Sequence, residues 1–299
     1  MVPNDGLDLL TITDFIGSHD RRHVEAAIRR RCHTVWIDPE TTLCRILGRY
    51  KFFVDSRDIG LAPHLMLDGY WEFWISDFIW RNLRPGFRVL DVGANLGYYT
   101  VLAADLVGPQ GQVTAFEPNP RMFELLQRNA GINGFSQWTD CSARAVSCRT
   151  GDRLDFSAAI ADPKNGALVD AGSAALAAPG RLNITVETTT LDDACPSPVD
   201  FVKIDVEGAE EDLWAGMQQV IDRSPRIQIL LEFNALRCRA PERMIESMAS
   251  RFPLRRVGDD ALVHACSAAE LLAAKADTML YLSHGIPLDY ATPSAPDQG

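Results

Sequence analysis

The chain of 299 residues is 46% hydrophobic and carries a formal net charge of −11, from 40 acidic and 29 basic side chains. That length and apolar content suffice for one large domain, or one domain with an appendage. The acid surplus disfavours general nucleic-acid binding, whose affinity rests on neutralised phosphates.

Residues 1–35 show weak helical periodicity, centred on residues 24–28 and flanked by arginines. The Arg21-Arg22 and Arg29-Arg30-Arg31 cluster reads as a solvated helix face rather than a partner patch. Residues 41–47 and 50–54, split by Gly48-Arg49, read as a β-hairpin. The stretch 69–80 is dense in aromatics, and Trp71, Trp74, Ile75 and Phe78 fall at helical spacing, which predicts core positions. Glu72 lies off that stripe and is a candidate for a ligand cleft, with a surface carboxylate as the competing expectation. Arg84-Pro85-Gly86 breaks the segment. Residues 1–80 are therefore expected to form an N-terminal helical and hairpin extension, a candidate lid or dimer contact. A main domain over 81–290 follows, and then a tail, 291–299, whose composition predicts disorder.

The main domain opens with Arg88-Val-Leu-Asp-Val-Gly-Ala-Asn-Leu-Gly-Tyr-Tyr-Thr100, which reads as a buried strand, a tight glycine turn and a helix start. Glycines there let backbone approach a ligand, and the helix N-terminus offers free N–H groups to an anion. Asp91 falls at the strand's carboxyl end, the edge where open α/β sheets bind ligands. The rival reading is the dinucleotide fingerprint G-x-G-x-x-G, but Asn95 replaces its middle glycine. Glu117, ending the second strand at 113–117, suits a ribose diol in either reading. Asp91 separates them, because a carboxylate is misplaced against pyrophosphate and well placed for a cationic cofactor. S-adenosylmethionine combines a sulfonium, an ammonium and a carboxylate, and it is the expected cofactor.

Strand and helix then alternate. Pro118-Asn119-Pro120 starts a helix running to about residue 130, and strand three is expected near 139–146. Its end should approach the adenine, with backbone around Ser142–Ala145 serving where no acid stands. Residues 148–185 read as an irregular or small β excursion near the cleft, with a strand at 184–188. The second informative stretch is Val199-Asp-Phe-Val-Lys-Ile-Asp-Val-Glu-Gly-Ala-Glu-Glu-Asp-Leu-Trp214. Residues 201–204 make a buried strand, Asp205 sits at its end, Gly208 turns the chain, and a helix with an acidic first turn follows. Asp205 and Glu207 exceed what helix capping requires and are expected beside the Asp91 turn. Residues 226–233 give strand five, ending in Glu232-Phe-Asn234. Residues 241–251 form a helix, and 254–257 and 279–282 form a last, antiparallel strand pair.

The seven cysteines are odd in number and scattered, with no C-x-x-C pair, so neither zinc nor a disulfide framework is expected. Reduced thiols, a start unlike a signal peptide and no membrane-length apolar run together predict a cytoplasmic, soluble protein without a membrane partner.

Two motifs thus stand in order: Asp91-Val-Gly-Ala-Asn-Leu-Gly97 before Phe116-Glu-Pro-Asn-Pro120, and then Lys203-Ile-Asp-Val-Glu-Gly-Ala-Glu210. Over roughly residues 65–260 the chain resembles the FkbM family of class I S-adenosylmethionine-dependent methyltransferases. The resemblance implies an α/β fold: a Rossmann-like, seven-stranded, mostly parallel sheet with helices on both faces. It also implies methylation, often on oxygen, of sugars or polyketide-like natural products. By position, Asp91, Gly93, Asn95, Gly97 and Glu117 hold the donor, and Asp205 borders the transferred methyl. Glu72, Ala94, Pro118 and Ser142 complete the candidate cofactor set.

An alcohol is a poor nucleophile until its proton leaves, which calls for a general base or a metal. Asp205, Glu207 and Glu232 are the candidate bases. A weaker alternative gathers Asp205, Glu232 and Asn234 around Mg²⁺. Of the histidines, His64 is the best candidate, against a structural role. The expected function is O-methylation of a small hydroxylated acceptor such as a saccharide, by a protein that is a candidate homodimer. The competing classes are an NAD(P)-dependent oxidoreductase and a non-catalytic S-adenosylmethionine-binding protein.

Overall fold

A computed structural model describes residues 8–16, 21–169 and 178–285; the tail at 291–299 lies outside them. The N-terminal part begins with helices α1 (Ile12–Ile16) and α2 (Arg21–Arg31). An antiparallel sheet of β1 (Thr34–Asp38), β2 (Thr41–Ile46) and β3 (Tyr50–Asp55) follows. The β2–β3 hairpin is the expected one. Strand β1 is an addition: all its residues are exposed, so it lacks the alternation that betrays a half-buried strand. Helices α3 (Ala62–Leu67) and α4 (Phe73–Asn82) come next. Ile75 and Phe78 are buried as their spacing predicts, whereas Trp71 precedes the helix and Trp74 is only partly covered.

The chain then builds β4 (Arg88–Val92), α5 (Tyr98–Val107), β5 (Gln112–Phe116), α6 (Pro120–Ile132) and β6 (Thr139–Ser142). The strand expected over 139–146 is corrected at Ser142, where the chain leaves the main sheet. The excursion is a separate sheet of β7 (Ala145–Val146), β8 (Arg153–Ala159), β9 (Asp162–Val169) and β10 (Arg181–Thr189). After α7 (Leu191–Ala194) come β11 (Phe201–Ile204), α8 (Glu210–Ala215), α9 (Gln218–Arg223), β12 (Gln228–Phe233) and α10 (Pro241–Arg251). Strands β13 (Arg255–Val257) and β14 (Val263–Ala265), helix α11 (Ala268–Ala273) and strand β15 (Thr278–Leu282) complete the described chain.

Among the described residues the main sheet has eight strands in the order β14-β13-β15-β12-β11-β4-β5-β6. Strands β12, β11, β4, β5 and β6 are parallel, while β15 runs antiparallel to both β12 and β13. The expected Rossmann-like sheet is present. The eighth strand, β14, is a short hairpin partner of β13.

Alternation along the central strands sends side chains to opposite faces. Val89, Phe201 and Leu230 join the core under α4, α5 and α6, and Leu90, Val92, Val202, Ile204, Ile229 and Leu231 join that under α8, α9 and α10. Asp91 and Lys203 take the first of these faces, in register with each other across β4 and β11. The N-terminal sheet is tied to the domain by Asn129 of α6. Its amide oxygen accepts from Phe53 N at 2.6 Å, and its nitrogen donates to Phe53 O at 3.0 Å and Leu96 O at 2.8 Å. No helix among the described residues is long and apolar enough to cross a membrane.

Candidate active site

A cavity of about 520 Å³ opens at the carboxyl ends of β4, β5, β11 and β12, between the 61–72 segment and the excursion sheet. One wall is the glycine turn after β4. Gly93 and Ala94 both donate their N–H to Phe116 O at 3.0 Å, and Asp205 N donates to Val92 O at 3.0 Å. Gly93 has φ +77, and a Cβ built there would collide with the carbonyl oxygen of Asp205. Glycine is required on both counts, by conformation and by the close approach of two strand ends. Asn95 adopts φ 52 and donates its N–H to Glu117 Oε2 at 2.7 Å.

Glu117 is 6% exposed and lines the cavity, and its Oε1 accepts from Asn119 N at 2.8 Å. Each oxygen accepts one bond and retains capacity for a ligand hydroxyl. Burial pushes its carboxyl up to about 7, with the Asn119 and Asn95 N–H groups opposing.

Of the other expected cofactor residues, Glu72, Ala94, Pro118 and Asp205 line the cavity. Three do not. Asp91 lies behind the wall, 2% exposed: Oδ2 accepts from Thr100 Oγ1 at 2.6 Å, and Oδ1 has no hydrogen-bond partner. Gly97 is a packing spacer, since a Cβ there would stand 2.7 Å from Leu126 Cδ1. Ser142 faces a separate depression with Arg88 and Asp140, and its carbonyl accepts from Glu117 N at 3.0 Å. Of the expected stretch 142–145, Arg144 and Ala145 line the cavity and Ser142 does not.

The three expected acids, Asp205, Glu207 and Glu232, all line the cavity, each with one oxygen within 4.8 Å of the others. Lys203 Nζ, 3% exposed, donates to Asp205 Oδ2 at 3.1 Å and stands 4.8 Å from the Tyr99 ring centroid. Burial alone would push the Lys203 ammonium down, but Asp205, Asp91 and Glu72 outweigh it and hold it up. Glu72, at φ 37 before α4, accepts from Tyr99 Oη at 3.0 Å and is raised by burial and by Asp205. Glu232 is raised furthest, to about 8, first by burial and then by Asp205 and Glu207. Arg237 is ion-paired with Glu207 and Asp277 and lies 3.4 Å from Glu232.

Asn234, the third member of the alternative oxygen set for Mg²⁺, lines the cavity with Asp205 and Glu232; its Nδ2 donates to Asp277 at 2.8 Å and its Oδ1 accepts from Leu236 N at 2.9 Å. Two cations are bonded within the acid cluster, Lys203 at Asp205 and Arg237 at Glu207 and Glu232. His64 is half-exposed, 3.9 Å from Asp68, and does not line the cavity.

Sequence reasoning missed Trp71, Tyr99, Lys164 and Arg237 as cavity residues. Trp71 and Tyr99 sit on apolar stripes that read as core. Arg237 follows strand five by four residues, at the usual ligand edge, and that placement was the available signal.

The strand order, the glycine turn pressed against Asp205 and a buried acid closing β5 define a class I S-adenosylmethionine-dependent methyltransferase. The residues suit the donor: Glu117 has free lone pairs for a ribose diol, and the acid-lined floor suits a sulfonium. The sequence profile of the Methyltransferase FkbM domain matches residues 91–254, just over half of the chain, which belongs to that family.

Among curated relatives, the protein-L-isoaspartate O-methyltransferase of Methanothrix thermoacetophila is 44% identical over 68 residues, 23% of this chain and 29% of its own length. The demethylmenaquinone methyltransferase of Symbiobacterium thermophilum is 32% identical over 72 residues, 24% of this chain and 29% of its own. Each match thus spans under a third of the relative. A solved methyltransferase FkbM from Methylobacillus flagellatus KT superposes with TM-score 0.42 at 16% identity, covering 73% of this chain and 52% of that one. The O-methyltransferase TomG from Streptomyces achromogenes gives 0.39 at 13%, covering 72% and 79%.

Proposed function

We infer that this methyltransferase acts on a hydroxyl oxygen of a small acceptor, such as a saccharide or another hydroxylated natural product. The observation that carries the reading is Glu232, a cavity-lining carboxyl raised to about 8 beside Asp205 and Glu207. A base is most effective when its pKa lies near the working pH. S-adenosylmethionine, when bound, supplies an electrophilic methyl group on a sulfonium.

The chain's own residues do the rest. Glu117, Asn95 and the Gly93 turn hold the donor, and Lys203 fixes Asp205 at the strand end. Glu232 takes the proton of the acceptor hydroxyl as that oxygen becomes nucleophilic. The Glu207–Arg237 pair closes the neighbouring wall. The 61–72 segment serves as a fixed roof, a reading supported by the anchoring of the preceding sheet through Asn129 and by Leu61, Trp71 and Glu72 in the cavity lining. Alignment of acceptor with donor in this crevice supplies much of the acceleration.

The test is turnover with S-adenosylmethionine and a panel of hydroxylated acceptors, followed by NMR of the product. A methyl ether in the product supports the reading. Methyl transfer confined to nitrogen, carbon or a carboxylate overturns it.

A further inference from the structure

Lys164 on β9 lines the cavity from the excursion sheet. Its stem runs beside Gly60, where a Cβ would stand 2.9 Å from Lys164 Cε and would meet the Asp162 carboxylate. Ile59 N donates to Ala161 O at 2.8 Å, which pins the β8–β9 turn to the same loop. The ammonium stands 5.1 Å from the centroid of the Trp71 ring, and that ring is itself 5.1 Å from His64. The ammonium thus stands against an aromatic face at the cavity wall.

Among the described residues no ion pair joins Lys164 to a carboxylate, although acids outnumber bases in this chain. The neighbouring cavity cations differ: Lys203 is bound to Asp205, and Arg237 to Glu207 and Asp277. Lys164 pulls the carboxyls of Glu72 and Glu207 down without bonding either. Arg144, also without an ion pair among the described residues, enters at the Glu117 and Pro118 end, proposed above to hold the donor. An ammonium against an aromatic face, with no ion-paired carboxylate among the described residues, suits an anionic group that arrives with the ligand.

We propose that Lys164 binds a carboxylate or phosphate of the acceptor, so that the substrates are acid-bearing hydroxylated molecules such as sugar acids or sugar phosphates. The assignment rests on the hydroxyl-acceptor reading and extends it. Repulsion from the carboxylates of Asp205 and Glu207 keeps the anionic end away from the base, leaving the hydroxyl end to approach Glu232.

The test is calorimetric titration of glucuronic acid, glucose phosphate and glucose into protein saturated with S-adenosylhomocysteine. The two acids are expected to bind about tenfold more tightly than glucose, and added salt should shrink that preference in the wild type. Lys164→Met is expected to abolish the preference and Lys164→Arg to keep it, with S-adenosylhomocysteine affinity reporting that each variant is folded. Equal binding of the three sugars, binding of none, or a preference that survives Lys164→Met overturns the proposal. Neutral acceptors turned over without acid preference defeat this assignment and leave O-methylation standing. Acid-selective binding with no methyl on oxygen does the reverse.

Discussion

Lys203 and Asp205 stand two residues apart and share an ion pair of 3.1 Å, although Lys203 is only 3% exposed. The two-residue period of a strand places both side chains on one face, and the parallel register puts Asp91 of β4 beside Lys203. One ammonium therefore serves carboxylates from two adjacent strand ends. Lys203→Met leaves buried acids without their cation, and the expected cost is about 3–5 kcal/mol of stability. A denaturation midpoint unchanged in Lys203→Met contradicts this arrangement.

Glu117 faces the cavity while Asp91 lies behind it, so the two acids have separable roles. Glu117→Ala is expected to weaken S-adenosylmethionine binding about 10- to 100-fold, the loss of one or two charge-assisted hydrogen bonds. Asp91→Asn is expected to lower stability more than donor affinity. Calorimetry paired with thermal melts checks both, and the opposite ranking contradicts the geometry.

The close approach at Gly93 makes a sharp contrast with Gly134. Both have positive φ, but a Cβ at Gly134 meets nothing within 4 Å. Gly93→Ala must push the two strand ends apart, at a cost of about 3 kcal/mol or more. Gly134→Ala bears only the left-handed backbone penalty, about 1 kcal/mol. Chemical denaturation of the two variants measures the difference, and equal midpoints contradict it.

Buried acids also set the pH dependence of folding. Glu117 is raised from 4.5 to about 7 and Glu232 from 4.5 to about 8. Between those values the folded chain keeps protons that the unfolded chain has released. The resulting stabilisation is complete below 4.5 and is lost as pH rises through about 7 and then about 8. Each group contributes a slope of up to about 1.4 kcal/mol per pH unit within its window. The melting temperature of the donor-free protein should fall across that range, and Glu232→Gln should flatten its upper part. A melting temperature that rises instead contradicts the assignment.

Much of this was legible in the sequence where local pattern and topology agree. The apolar runs ending in Asp91 and Ile204, the glycines that follow them, and Pro241 opening α10 each declare their elements. The carboxyl ends of neighbouring parallel strands then bring Glu117, Asp205 and Glu232 into one cavity without further information. Less visible was anything decided by long-range packing. Nothing local tells that Asp91 sits behind the wall while Glu72 lines it, because that depends on how the 61–72 segment folds over the sheet. Trp71 and Tyr99 look like core residues by spacing, and only the roof and the Lys203 ammonium turn them toward the cavity. Strand β1 carries exposed apolar residues on both faces and so gives no periodic signal.

The most direct test of Glu232 as the base is the rate of S-adenosylhomocysteine release with a hydroxylated acceptor, followed against pH. The wild-type rate should rise with pH as Glu232 loses its proton, along a limb at or below about 8 because the bound sulfonium favours the carboxylate. Glu232→Gln should lose about 100-fold or more and show no such rise. A Glu232→Gln enzyme that keeps the wild-type rate and the same pH limb contradicts the account.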